Sequence, residues 1–159
     1  MGLALALGVL ALAQDALPPE AREALALGQQ AASRALLEYD VHYLDRPLWR
    51  DAVAYGVSAQ RLAPERPEPY RFLGQVYTTV GFYSRAWEVW QRYLALGGAT
   101  GAQTNRYLAE VSAWLGDNSF EQGQYERALE YYALLLGVEP ENVEANERQA
   151  LAHLELGGG

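Results

Sequence analysis

The sequence predicts an all-α chain built from helix pairs that recur along its length, and three observations carry this expectation. From Pro19 onward the apolar residues fall at three- and four-residue spacings, with no run of strict alternation that would mark a strand. Breakers divide the pattern at Arg46-Pro47, Ala63-Pro64 through Pro69, Gly97-Gly98, Gly137 and Glu139-Pro140. One phrase occurs three times: a breaker, a spacer and an aromatic, with a small residue three positions later. It reads Pro47-Leu48-Trp49 before Ala52, Gly81-Phe82-Tyr83 before Ala86, and Gly123-Gln124-Tyr125 before Ala128.

Ala52 and Ala86 lie 34 residues apart, Ala86 and Ala128 lie 42 apart, and Pro64, Gly98 and Pro140 each follow their alanine by 12. A period of this size marks stacked supersecondary units. Tyr70-x2-Leu73-Gly74-x2-Tyr77, followed by Ala86-x3-Trp90, resembles the tetratricopeptide (TPR) signature, whose period is 34 residues. The resemblance covers about residues 33 to 157. It implies units at about 33–66, 67–100 and 101–142 and a lone helix at 143–157. The fold it implies is a right-handed α-solenoid of about three helix-turn-helix units, with a long N-terminal helix and a C-terminal capping helix.

The elements follow in order. Residues 1 to 13 carry no charge, and the eleven apolar or glycine residues from Leu3 to Ala13 suit the core of a secretory signal, with Ala11-Leu12-Ala13 as a small-x-small cleavage pattern. The same stretch also reads as an N-terminal helix, since no basic residue precedes it. The leading helix of the domain begins near Pro19, with proline in its first turn. In the first unit Tyr39-Asp40 stands where the family has Leu-Gly, and Gly56 where it has a large aromatic.

In the second unit Gly74 and Ala86 are the small residues at which two antiparallel helices approach, and Tyr77, Tyr83 and Trp90 fill the space around them. Gly81 and Gly123 end the first helices of their units. Eight extra residues between Gly98 and Gly123 leave two registers open for the third unit: Tyr107-Leu108-Ala109 or Trp114-Leu115-Gly116 can hold the Leu-Gly position. The last helix has Ala150 at the small position and Gly157 at the turn, with Glu144, Glu147, Arg148 and Glu155 for the polar outer face of a cap.

Composition narrows the chemistry. The 159 residues fit one domain, able to bury roughly two thirds of the surface its unfolded chain exposes. Twenty acidic residues against twelve basic ones give a net charge of -8, which repels phosphate backbones and disfavours nucleic acid as a partner. Every basic residue is an arginine, so Schiff-base chemistry and the usual P-loop lysine are excluded. With no cysteine there is no disulfide, thiolate metal site or cysteine nucleophile. The longest apolar run is too short to span a bilayer comfortably.

No catalytic motif is present. His42 and His153 belong to neither an HExxH motif nor a nucleophile elbow. Glu38, His42 and Asp45 fall at i, i+4 and i+7 on one helical face, an N/O ligand set for a divalent metal; a solvated polar stripe is the competing reading. No cofactor is expected. Most Tyr and Trp residues coincide with packing positions, with Trp87 and Trp114 as the candidates for exposure.

The resemblance implies a non-catalytic function: a protein-interaction adaptor or assembly scaffold that binds a peptide or partner helix in a concave groove lined by the first helix of each unit. Carried over by position, the groove residues are Arg34, Leu37, Val41, Leu44 and Asp45 in the first unit and Glu68, Arg71, Gln75, Thr78 and Thr79 in the second. The third unit contributes Arg106 and Glu110 in one register, or Asp117 and Glu121 in the other. The last helix adds Glu144, Glu147, Leu151 and Leu154. Leu37 and Val41 stand where chaperone-binding TPR domains carry Lys and Asn, so that clamp is not expected. The alternative is a self-associating structural subunit, using the apolar face of the first helix or Leu151 and Leu154 of the last. If residues 1–13 are a signal, the expected location is the periplasm or cell envelope; otherwise it is the cytoplasm.

Overall fold

The computed structural model describes residues 16–158, so the expectation for residues 1–13 lies outside the described residues. Among these residues the chain forms seven α-helices and no strand: α1 Pro19–Glu38, α2 Pro47–Leu62, α3 Pro67–Thr79, α4 Tyr83–Ala95, α5 Ala102–Glu121, α6 Tyr125–Val138 and α7 Val143–Gly157. None of the described helices is long and apolar enough to cross a membrane.

Local chemistry sets the boundaries. Proline opens α1, α2 and α3, where its missing N–H would have no helical partner. Gly81 and Gly123 adopt φ of 74° and 73°, a conformation that costs residues with a Cβ, and this lets α3 and α5 stop sharply. The amide of Phe82 then returns to the Tyr77 carbonyl at 2.9 Å and that of Gln124 to the Ser119 carbonyl at 2.8 Å, closing the helix ends. At the start of α7 the Asn142 side-chain oxygen accepts from the Ala145 amide at 2.9 Å.

Consecutive helices pack pairwise, α1 on α2, α3 on α4 and α5 on α6, and short turns make the partners of the second and third pairs antiparallel. Across the pairs α1 meets α3, α3 meets α5 and α5 meets α7, whereas among the described residues the backbones of α2, α4 and α6 stay farther apart, α4 and α6 touching through the Trp87 and Tyr131 rings. Helices that touch on one side of an array and separate on the other make the array curve, with the odd-numbered helices inside.

The pairs are joined at a glycine lying under an aromatic ring. A methyl group on Gly74 would fall 2.5 Å from the Trp90 indole, and one on Gly116 would fall 2.7 Å from the Tyr132 ring. Both rings are buried, as are Ala86 and Ala128 beside them. Gly116 precedes Ala128 by 12 residues, as Gly74 precedes Ala86, so Trp114-Leu115-Gly116 holds the Leu-Gly position of the third pair. The additional residues lengthen α5, which has 20 residues where α3 has 13, at its N-terminal end. Seven residues make two turns to within about 20°, so the extension keeps the same faces.

The first pair departs from the expected course. α1 stops at Glu38, and residues 39–46 form a connection instead of further helix. Trp49 holds that connection, donating from Nε1 to His42 Nδ1 at 3.3 Å, and the Tyr39 hydroxyl accepts from the Leu48 amide at 3.3 Å. Ala24, Ala31 and Ala35 of α1 face Trp49, Ala52, Ala59 and Phe72, so this alanine stripe lies inside the molecule, while Leu27, Leu36 and Leu37 of the same helix are exposed. Gly56, which stands where the tetratricopeptide pattern has a large aromatic, leaves room for Leu73: a methyl there would lie 2.6 Å from Leu73 Cδ2.

A polar clasp fixes α7. The Tyr132 hydroxyl donates to Asp117 Oδ1 at 2.7 Å, Arg148 Nε stands 3.7 Å from the same oxygen, and the Arg148 guanidinium lies 5.2 Å over the Phe120 ring. Burial, with the Asp117 hydrogen bond next, pushes the Tyr132 phenol above the ordinary tyrosine range; burial also raises Tyr77 and Tyr83. A phenol whose pKa is raised by folding favours the native state fully below its unfolded pKa, about 10, and loses that contribution as pH climbs toward the folded value. Urea titrations from pH 8 to 12 should therefore show stability falling above about pH 10, with a shallower fall in Tyr132→Phe, where Tyr77 and Tyr83 remain. An identical slope in the variant would remove Tyr132 from the account.

Candidate functional site

The inner face of the array is a groove floored by α1, α3 and α5. A cleft of about 180 Å³ opens between Gln29, Ala32, Ser33 and Leu36 of α1, Phe72, Gln75, Val76 and Thr79 of α3, and Tyr107 of α5, with an edge of Trp49 beneath. A second cleft of about 390 Å³ shares Gln29, Phe72 and Gln75 and extends to Glu68, Arg71, Leu25 and Leu17. A third, of about 630 Å³, lies farther along between Gln103, Arg106, Tyr107, Glu110 and Ala113 of α5 and Leu135 and Glu139 near the end of α6. Tyr107 lines both the first and the third, so the three form one path along the odd-numbered helices.

The floor is apolar and the rim polar. Phe72 and Val76 are buried, while Gln29 and Gln75 place amide groups at the edge, able both to donate to and to accept from a peptide backbone. Arg71 and Arg106 are exposed and form no ion pair among the described residues, whereas Glu68 is held by Arg66 at 2.8 Å. The rim therefore presents unneutralised guanidinium groups in a chain that is otherwise acidic. Glu110 stands near the Tyr83 phenol, which it helps to raise after burial.

Of the residues the sequence placed in a groove, the structure brings Arg71, Gln75 and Thr79 to the first two clefts and Arg106 and Glu110 to the third. Thr78 does not belong with them. It is buried, donates to the Gly74 carbonyl at 2.6 Å and accepts from Trp90 Nε1 at 3.1 Å, so it serves the α3–α4 crossing. Arg34 pairs with Glu38 at 3.0 Å on the solvent side of α1. Leu37 is 88% exposed and lines none of the clefts, and Val41 and Leu44 fall in the 39–46 connection. The reason is the early end of α1: the positions were carried through a helix that stops at Glu38.

Gln29, Ser33 and Leu36 take those places on α1, and reasoning from the sequence missed them. Their signal was available. Ala21, Ala24, Gly28, Ala31 and Ala35 recur at three and four residues, which fixes the inner face of α1 and sets Gln29, Ser33 and Leu36 beside it. The end of α1 also separates Glu38, His42 and Asp45, and among the described residues no three His, Asp or Glu side chains are placed to hold a metal ion. Trp114 is half exposed and rests on Tyr83 with ring centres 5.1 Å apart, while Trp87 packs edge-on against Tyr131 at 4.7 Å.

Neither a protein-family model nor a curated protein matches this chain. The rim and the crossing can be told apart by stability. Arg71→Glu with Gln75→Ala should leave unfolding free energy within about 0.5 kcal/mol of the parent, as exposed substitutions do. Thr78→Val, on the same helix, should lower it by about 1 to 3 kcal/mol by leaving the buried Trp90 N–H without an acceptor. Equal effects from the two in urea unfolding would contradict this division of α3.

Proposed function

We propose that this chain is a non-catalytic protein-interaction module, a TPR-like right-handed solenoid acting as adaptor or assembly scaffold, with a peptide or partner helix lying along the groove of α1, α3 and α5. The observation that carries the reading is the path of clefts along α1, α3 and α5, bounded at one end by Leu135 and Glu139, apolar beneath and amide-rimmed, with Arg71 and Arg106 at its edge in no ion pair among the described residues. An extended or helical segment satisfies such a surface by seating apolar side chains on Phe72 and Val76 and giving its backbone or its carboxylates to Gln29, Gln75 and Arg71. No cofactor enters this scheme. The net charge of -8 favours protein over nucleic acid as partner. If residues 1–13 serve as a secretory signal, the module works outside the cytoplasm.

The test is affinity capture from an extract of the source organism with three baits: the chain itself, Arg71→Glu with Gln75→Ala, and Arg34→Glu. A partner held by the chain and by Arg34→Glu, but lost from the groove variant, is the expected result. A partner held equally by all three, or recovery of the bait's own chain alone, would overturn the groove assignment.

A further inference from the structure

Trp114 is an aromatic that the helix crossings leave half open to solvent. It stands four residues after Glu110 and seven after Tyr107, so it shares the face of α5 that lines the groove. Its ring rests on Tyr83 with centres 5.1 Å apart and planes tilted by 35°. Tyr83 in turn stands against the Glu110 carboxylate, which after burial is what raises its phenol. An open indole face and a carboxylate are thereby gathered around one tyrosine, at the start of α4 and the middle of α5. The surrounding charges leave that carboxylate available. Glu110 is exposed and enters no ion pair among the described residues. Arg106, one turn earlier, lines the same cleft, but arginine four residues before glutamate is the weaker order for a helical pair, and the two do not join here. Glu139 adds a second carboxylate to that cleft, Arg85 is engaged by Glu88 at 3.8 Å, and Asp117 is held by Tyr132 and Arg148.

We infer that Glu110, Trp114 and Tyr83 form a subsite for an arginine or lysine side chain of the segment the groove holds, a step that rests on the groove reading for the identity of that segment. Charge complementarity selects this occupant. The indole face is the negative side of a quadrupole and Glu110 carries a full negative charge, so both attract a cation placed between them. An acidic side chain would meet like charge. An apolar one laid over Trp114 would draw the Glu110 carboxylate out of water without a partner, a change that a charge resists strongly. Arginine and lysine avoid both penalties, because the apolar stem covers the ring while the charged head stays at the carboxylate. Arginine suits the site better, its planar and weakly hydrated guanidinium being able to stack on the indole. The net charge of -8 draws such a segment toward the chain.

The experiment is an NMR titration of the full chain with N-acetyl-arginine amide, N-acetyl-lysine amide and the uncharged isostere N-acetyl-citrulline amide, at constant ionic strength, read at the indole N–H of the four tryptophans. Saturable shifts at Trp114 with both cations, far smaller ones with citrulline, and unmoved resonances at the buried Trp49 and Trp90 are expected. Glu110→Gln should weaken arginine binding by about threefold or more, the scale of an exposed charge contact. Trp114→Leu should weaken it similarly when the shift is read at the Glu110 amide. Glu23→Gln, which removes an exposed carboxylate from α1, should leave it unchanged. Equal responses to the arginine and citrulline amides, no response at Trp114, or full binding in Glu110→Gln would overturn the inference. The probes need no captured partner, so a silent Trp114 beside successful capture strikes the subsite alone, and failed capture beside a responsive Trp114 strikes the groove reading alone.

Discussion

The close approach of an odd-numbered helix to the even-numbered one that follows, glycine beneath an aromatic ring, is the constraint on which the rest of this structure depends. At Gly74 and Trp90, and again at Gly116 and Tyr132, a single methyl group would enter the ring. Trp90 is fixed further by its hydrogen bond to Thr78, and Tyr132 by its bond to Asp117. Interiors packed this densely respond to one added carbon, so these contacts set the orientation of each pair. Once the pairs are fixed, the odd-numbered helices approach backbone to backbone along one side of the array, and the even-numbered ones stay farther apart along the other. The groove is a consequence of that asymmetry.

The same arrangement divides labour along each helix. On α3, Tyr70, Leu73, Gly74, Tyr77 and Thr78 are buried, while Arg71 and Gln75 sit at the rim of the groove. The helix crossings use the first set, and the proposed partner would meet the second. On α7 Ala145 and Ala152 are buried and Arg148 reaches Asp117, while Val143 and Leu154 are exposed.

Much of the fold was legible in the sequence because its signals are local and repeated. The breakers, the 12-residue offset from each alanine to the next breaker and the Leu73-Gly74 pair located α2 to α7 and the crossings of the second pair. The open register of the third pair was physical: Leu108-Ala109 and Leu115-Gly116 are two helical turns apart and share a face, so periodicity does not separate them, and only the Tyr132 ring over Gly116 does. The first pair was misjudged for another reason. Residues 39–46 keep apolar spacing in Val41 and Leu44, which Leu48 of α2 continues, yet His42 and Tyr39 are held by Trp49 and the Leu48 amide in a connection that no local propensity announces. The groove positions on α1 shifted accordingly; Arg71, Gln75 and Thr79 line the clefts beside α3, while Arg106 and Glu110, carried over in the register that the chain does not adopt, line the third cleft, and Asp117, the position of the adopted register, is held by Tyr132 and Arg148.

The central claim is that the odd-numbered helices are the working face. Amide hydrogen exchange across the whole chain, with and without the captured partner, tests it most directly. Added protection on α1 around Gln29 and Ser33, on α3 around Arg71 to Thr79 and on α5 around Gln103 to Glu110 is the predicted result. Protection confined to α2 and α4, around Val57, Gln60, Val89 and Arg92, would contradict it.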